Sequence, residues 1–200
     1  MKRLIDIAVS ATVLLAGMPL LVAIAALLWI DSGRPVFFRQ ERVGRRFKRF
    51  RIWKFRSMRS DAGGPSITVG GDSRVTRVGA ILRAAKLDEL PQFWNVLRGD
   101  MSLVGPRPEV PEYVELYRER YSRVLAVRPG ITDLASLVYR REESILRGQA
   151  DPEEHYRAVV LPAKLKLAED YMARQSLALD TAILFRTLLA VLGRPGEERS

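Results

Sequence analysis

Lys86-Leu-Asp-Glu-Leu-Pro-Gln-Phe-Trp-Asn-Val-Leu-Arg-Gly-Asp-Met-Ser-Leu-Val-Gly-Pro-Arg-Pro108 is the stretch on which the reading of this chain turns. Pro91 suits the first position of a helix, where its missing N–H is no loss. Gln92 to Leu97 then runs as helix, and Gly99 stops it. The adjacent carboxylates Asp88 and Glu89 stand just before that start, where backbone N–H groups attract anions. Pro106 and Pro108 stiffen the loop that carries Arg107. On residues alone, two acids at a helix start are most simply a cap. They also suit chemistry on a phosphate. On a turn, neighbouring carboxylates can converge on one Mg²⁺ together with substrate phosphates, or one of them can attack phosphorus.

Two hundred residues suffice for one domain with a real core. The formal net charge is +10. Residues 34–59 hold eleven Lys and Arg against one acid, Glu41, so this segment carries the whole excess. Basicity so confined should face something anionic. There is no cysteine, which excludes disulfides and thiolate metal sites. His155 is the single histidine, which excludes a multi-histidine metal site.

Residues 7–30 contain no charged side chain. As one helix they would extend about 36 Å at about 1.5 Å per residue, against a hydrocarbon core of about 30 Å. The run has no polar face, so a soluble core helix is a poor reading. A cleaved signal peptide is opposed by the basic segment just downstream. A spanning anchor would place residues 34 onward in the cytoplasm, with Lys2 and Arg3 across the membrane. A re-entrant hairpin would keep both basic flanks on the cytoplasmic face, with a kink at Pro19. Spanning anchor and re-entrant hairpin both stand on residues alone.

Asp31-Ser-Gly-Arg-Pro35 reads as a turn. Pro35 to Met58 reads as a β-hairpin, with strands at Val36–Arg39 and Phe50–Phe55 around Val43-Gly-Arg-Arg46. Arginines interleaved with aromatics suit nucleic acid or a membrane surface, and the neighbouring apolar run favours the membrane. Residues 60–75 form a glycine-rich loop without a phosphate-loop motif. Arg74 to Ala85 reads as helix with Val75, Val78, Ile81 and Leu82 on one side. Glu109 to Arg123 reads as helix, Pro129-Gly130 as a turn, and Leu134 to Leu146 matches no clear pattern. Pro152 opens a helix that Pro162 restarts. Ser176 to Leu192 reads as an amphipathic helix lying in the membrane interface or packed on the domain.

Taken together, Lys2-Arg3 with Asp6, Pro35-Val-Phe-Phe-Arg-Gln40, Lys54-Phe-Arg-Ser-Met58, Asp72-x-Arg74-x-Thr76, Leu87-Asp-Glu-Leu-Pro-Gln92, Asn95-Val-Leu-Arg-Gly-Asp-Met-Ser102, Gly105-Pro-Arg-Pro108 and Arg128-Pro-Gly-Ile-Thr132 form a long ordered set. In this set the chain resembles the bacterial sugar transferase family, the small monotopic phosphoglycosyl transferases. The resemblance implies transfer of a sugar 1-phosphate from a UDP-sugar to polyprenol phosphate, with UMP as the other product. It implies Asp88 as nucleophile, Glu89 as its support and, with Asp88, a Mg²⁺ ligand, and Lys54, Arg83 and Arg107 as phosphate-binding residues. It implies a re-entrant helix broken at a Ser-Pro pair, for which this chain has Met18-Pro19. The family's Gly-Ile-Thr often continues with Gly. Here Asp133-Leu134 follow, and the departure up to Pro162 concerns which sugar is bound.

The expected fold is α+β and mostly helical: a re-entrant membrane helix over residues 1–33, a short β-hairpin, and a compact catalytic domain over 34–200 with interfacial amphipathic helices. The domain is expected at the cytoplasmic face of the inner membrane. Expected partners are the UDP-sugar, polyprenol phosphate and membrane lipids, with homodimerisation open and no nucleic acid. Two rival readings are a membrane-tethered basic binding module without catalysis and a metal-dependent phosphodiesterase.

Overall fold

A computed structural model describes residues 1–59 and 67–193. The first part of the glycine-rich loop, Ser60 to Ser66, lies outside the described residues.

Two helices open the chain, α1 (Lys2–Ala16) and α2 (Met18–Ser32), bent by 60° at their junction. The bend has a local cause. Pro19 sits in the first turn of α2, where it has no N–H to give, and Gly17 stands between the two helices. No single described helix is long and apolar enough to cross a membrane. Along both helices Leu4, Leu15, Met18, Val22, Leu27, Trp29 and Ile30 are exposed, while Ile24 and Leu28 pack on Phe55 and Leu82.

The expected hairpin forms from β1 (Phe37–Val43) and β2 (Arg49–Phe55), paired antiparallel from Phe37 with Phe55 to Val43 with Arg49. Both strands are longer than the β-forming runs suggest. Phe37 stacks on Phe55, and the Arg39 guanidinium lies 4.8 Å over the Trp53 ring. Helix α3 (Arg77–Ala84) is capped by Thr76, whose hydroxyl accepts from Gly79 N–H. Leu82 is buried as expected, but Ile81 is 68 % exposed, because only one narrow side of this short helix meets the core.

A 3₁₀ turn over Leu87–Glu89 leads to α4 (Gln92–Arg98), which ends at Gly99 with φ 88°, a left-handed residue as its place after the helix requires. The next element was not anticipated. Strand β3 (Ser102–Val104) pairs in parallel with β4 (Gly130–Thr132), so the region read as a turn at Pro129-Gly130 is instead the start of a strand. The pairing needs glycine at two places. A Cβ on Gly130 would lie 2.2 Å from Gly105 N, and one on Gly105 would lie 2.5 Å from Arg128 O. The stretch from Glu109 to Arg123 holds two helices, α5 (Pro111–Leu116) and α6 (Arg118–Val124), broken at Tyr117.

Helices α7 (Leu134–Val138), α8 (Glu142–Arg147), α9 (Pro152–His155), a π-helical turn (Tyr156–Val160), α10 (Leu161–Arg174) and α11 (Leu177–Leu192) complete the order. The main core joins Val43, Val110, Tyr113, Val114, Tyr121, Val124 and Leu146 to Tyr156, Val160, Leu161 and Leu165. On α11, Phe185, Leu188, Leu189 and Leu192 are exposed at a spacing that lines one side of a helix, while Ile183 is buried.

The start of α1 is locked to the rest of the molecule. Lys2 Nζ donates to Val104 O at 2.9 Å and to Asp180 Oδ2 at 2.7 Å. Arg3 donates to Val96 O and Leu97 O in the last turn of α4. Asp6 is buried and accepts from Ser102 Oγ and Leu103 N–H at 2.9 and 3.1 Å. At the far end, the buried Arg56 donates to Ser32 O, Gly33 O and Arg34 O.

Candidate active site

Four segments bring the site together. Strand β2 presents Lys54, the 3₁₀ turn presents Asp88 and Glu89, the Pro106–Pro108 loop presents Arg107, and the last turn of α3 presents Arg83. Lys86, with φ 56°, makes the left-handed step that turns the chain from α3 into the dyad. Asn95, fully buried on α4, accepts from Trp53 N–H at 3.0 Å and donates to Arg51 O at 2.8 Å. One side chain thus sets the distance between the dyad's helix and the strand that carries Lys54.

The two acids have different surroundings. Glu89 Oε1 accepts from Lys54 Nζ at 2.8 Å and from Arg107 at 2.7 Å. Burial opposes its ionisation, but Arg107 and Lys54 outweigh burial and hold its carboxyl well below the usual range. Asp88 is only 5 % exposed, and its Oδ1 is buried with no hydrogen-bond partner. Burial pushes its carboxyl up, against the pull of Lys54, and the charge of Glu89 pushes the same way. Burial lowers Lys54, and Glu89 offsets part of that loss, while Glu89 raises Arg107. Neighbouring acids pushed in opposite directions are the pattern expected when one is fixed in structure and the other is kept for chemistry.

Lys54 and Arg107 therefore meet the dyad directly, though each gives a bond to Glu89. Arg83 is near enough for its charge to ease the ionisation of Asp88, yet its guanidinium donates to Glu143 on α8. Three further residues escaped the reading of the sequence. Asp133 accepts from Arg107 N–H at 3.1 Å and caps α7 through Ser136 N–H at 2.7 Å, so it seats the arginine loop. Gln92 is buried with Nε2 unpartnered, four residues beyond Asp88. Glu143 lies 60 residues from Arg83. The Asp72-x-Arg74 pair stood in a motif and Asp133 only as a departure from one; their roles in the assembled site were not visible.

Among the described residues no group of three or more acidic or histidine side chains could hold a metal ion by itself. Asp88 Oδ1 has no partner, and both bonds to Glu89 fall on Oε1. That leaves hard oxygen donors of the kind Mg²⁺ takes when substrate phosphates and water complete its shell.

Residues 1–194 match the model of the family described as bacterial sugar transferase. The chain belongs to the bacterial sugar transferase family. A Rhizobium leguminosarum bv. phaseoli exopolysaccharide production protein is 40 % identical, over 97 % of this chain and 96 % of its own. A Caulobacter vibrioides UDP-glucose:undecaprenyl-phosphate glucose-1-phosphate transferase is 39 % identical, over 96 % of this chain and 69 % of its own. An Aeromonas hydrophila UDP-N-acetylgalactosamine-undecaprenyl-phosphate N-acetylgalactosaminephosphotransferase is also 39 % identical, and this sugar transferase spans 43 % of its length. The match covers the dyad turn, the Arg107 loop and the departure after Thr132 alike.

Proposed function

We propose that this chain transfers a sugar 1-phosphate from a UDP-sugar to polyprenol phosphate, giving polyprenol-diphosphate sugar and UMP, through a covalent phosphosugar on Asp88. One observation carries the reading. Of two neighbouring carboxylates, Glu89 is fixed by Lys54 and Arg107, while Asp88 keeps a buried oxygen without a partner. A carboxylate stripped of hydrogen bonds and water is prepared to attack. Asp88 attacks the phosphorus that bears the sugar, the bond from that phosphorus to the UMP oxygen breaks, and UMP leaves. A phosphate oxygen of the lipid then attacks the same phosphorus, and the acyl-phosphate bond breaks, restoring the Asp88 carboxylate. Lys54 and Arg107 keep fixed positive charge beside the transferred group, where it counts most in a dry site. Mg²⁺ held by Asp88 and Glu89 would neutralise the diphosphate of the donor.

The acceptor follows the names of two relatives, which give undecaprenyl phosphate. Those names give different sugars, so the donor is decided by a panel of UDP-sugars. Polyprenol phosphate lies in a bilayer, and a membrane setting is supported by the exposed apolar residues of α1, α2 and α11. A re-entrant path is supported by where the two ends go. Lys2, Arg3 and Asp6 bind α4 and β3, and Arg56 binds the end of α2, so both flanks return to one body. The basic hairpin supports a cytoplasmic side for that body.

The test is release of UMP with and without polyprenol phosphate and Mg²⁺, together with label transfer from UDP-sugar alone. Wild type should take up label and Asp88→Asn should not. Rapid formation of free sugar phosphate without lipid would make the protein a phosphodiesterase. Salt-sensitive lipid binding with no UMP would make it a tethered binding module.

A further inference from the structure

We propose that Glu143 is a resident carboxylate that occupies Arg83 in the donor-free protein and gives it up to the diphosphate of the nucleotide sugar. This rests on the transferase reading of the same site. Four cations act on the dyad: Lys54, Arg83, Lys86 and Arg107. Lys54 and Arg107 are committed to a buried carboxylate, Glu89. Arg83 is committed to a carboxylate that stands 48 % exposed. Exposed ion pairs are weak, whereas truncating a buried one leaves an uncompensated charge. Among the three of these cations that a carboxylate holds, Arg83 is thus the one most cheaply taken over by an incoming anion. A diphosphate carries more charge than a carboxylate and can engage both arms of a guanidinium.

The side chain of Glu143 can leave without moving its helix. Gly70 N–H donates to Glu143 O at 2.9 Å, and the Arg147 side chain lies against Gly70 and Gly71. These contacts hold α8 beside the site through backbone and through Arg147, not through the Glu143 carboxylate. A residue there that competes with substrate sets how much donor is needed, not how fast the bound donor reacts.

Glu143→Gln should lower KM for the UDP-sugar about two- to fivefold, with kcat unchanged, in the full protein with polyprenol phosphate and Mg²⁺. Calorimetric titration with UDP should show tightening by the same factor. Arg83→Ala should weaken both, and adding Glu143→Gln to it should change neither further. An unchanged or higher UDP dissociation constant in Glu143→Gln would overturn the proposal. So would the same tightening in the Arg83→Ala background, because the effect would then not pass through Arg83. If wild type releases no UMP from any UDP-sugar, the transferase reading fails, and the UDP titrations still decide the role of Glu143.

Discussion

Arg107 reaches Glu89 at 2.7 Å across 18 residues of chain, onto the same oxygen that Lys54 holds at 2.8 Å. The three residues form one charged unit, and removing the acid leaves two cations facing each other. Glu89→Gln should destabilise the fold by about 3 kcal/mol, as truncation of a buried pair does, read from the denaturation midpoint in detergent. The pH dependence has a definite sign. The Glu89 carboxyl is held well below its ordinary value of 4.5. Its stabilisation is present above that value and fades as pH falls through the depressed one. Wild type should lose stability at acid pH more steeply than Glu89→Gln, and parallel curves would refute the assignment.

Asp88 should behave in the opposite way. Burial raises its carboxyl above 3.8, so its contribution to stability is complete below that value and is lost as pH rises through the raised one. At neutral pH the ionised group is a cost to the fold. Asp88→Asn should therefore raise Tm while abolishing label uptake from UDP-sugar. A lower Tm in Asp88→Asn would count against a buried, unpartnered carboxylate. The acid limb of wild-type label uptake should lie above pH 3.8 for the same reason.

Gly130 offers a test of how β3 and β4 support Arg107. Gly130 N–H donates to Pro106 O at 3.0 Å, next to the arginine. A methyl at Gly130 would collide with Gly105 N at 2.2 Å. Gly130→Ala should cost about 2 kcal/mol of stability and lower kcat by shifting the arginine loop. A variant with wild-type kcat would show that the loop is held elsewhere.

Asp6 links the apolar helices to the site. Asp6→Ala would leave Ser102 Oγ and Leu103 N–H without their acceptor. A loss of about 2 kcal/mol is expected from two unsatisfied buried donors. Limited proteolysis should then cut near the α1 attachment sooner than in wild type. Equal cleavage rates would show that Lys2 and Arg3 suffice.

Much of this architecture was legible because its signals are local. The bend follows Pro19, α4 ends where Gly99 permits a left-handed residue, and the hairpin follows two runs of β-formers. The dyad and its cations were legible through family likeness, not through spacing, since Asp88-Glu89-Leu90-Pro91 alone reads as a cap. The parallel pair of β3 and β4 left no such trace. Three residues per strand are too few to show alternation, and their partners lie far apart in sequence. Ile81 fitted the helical period but faces outward, because tertiary packing, not periodicity, decides which side is covered. Asp133 on Arg107 and Glu143 on Arg83 are products of the assembled fold.

The lock on α1 bears on the order in which the protein is made. Lys2 waits for Asp180, 178 residues later, and Asp6 waits for Ser102 and Leu103. A ribosome adds roughly 5–20 residues each second, and domains fold as their parts emerge. The apolar helices are thus delivered many seconds before the groups that satisfy their charged first turn. During that interval Lys2, Arg3 and Asp6 must be satisfied by water or by other groups. The Lys2–Asp180 pair cannot close until α11 is made, so a chain truncated before α11 should leave the first turn of α1 without that partner.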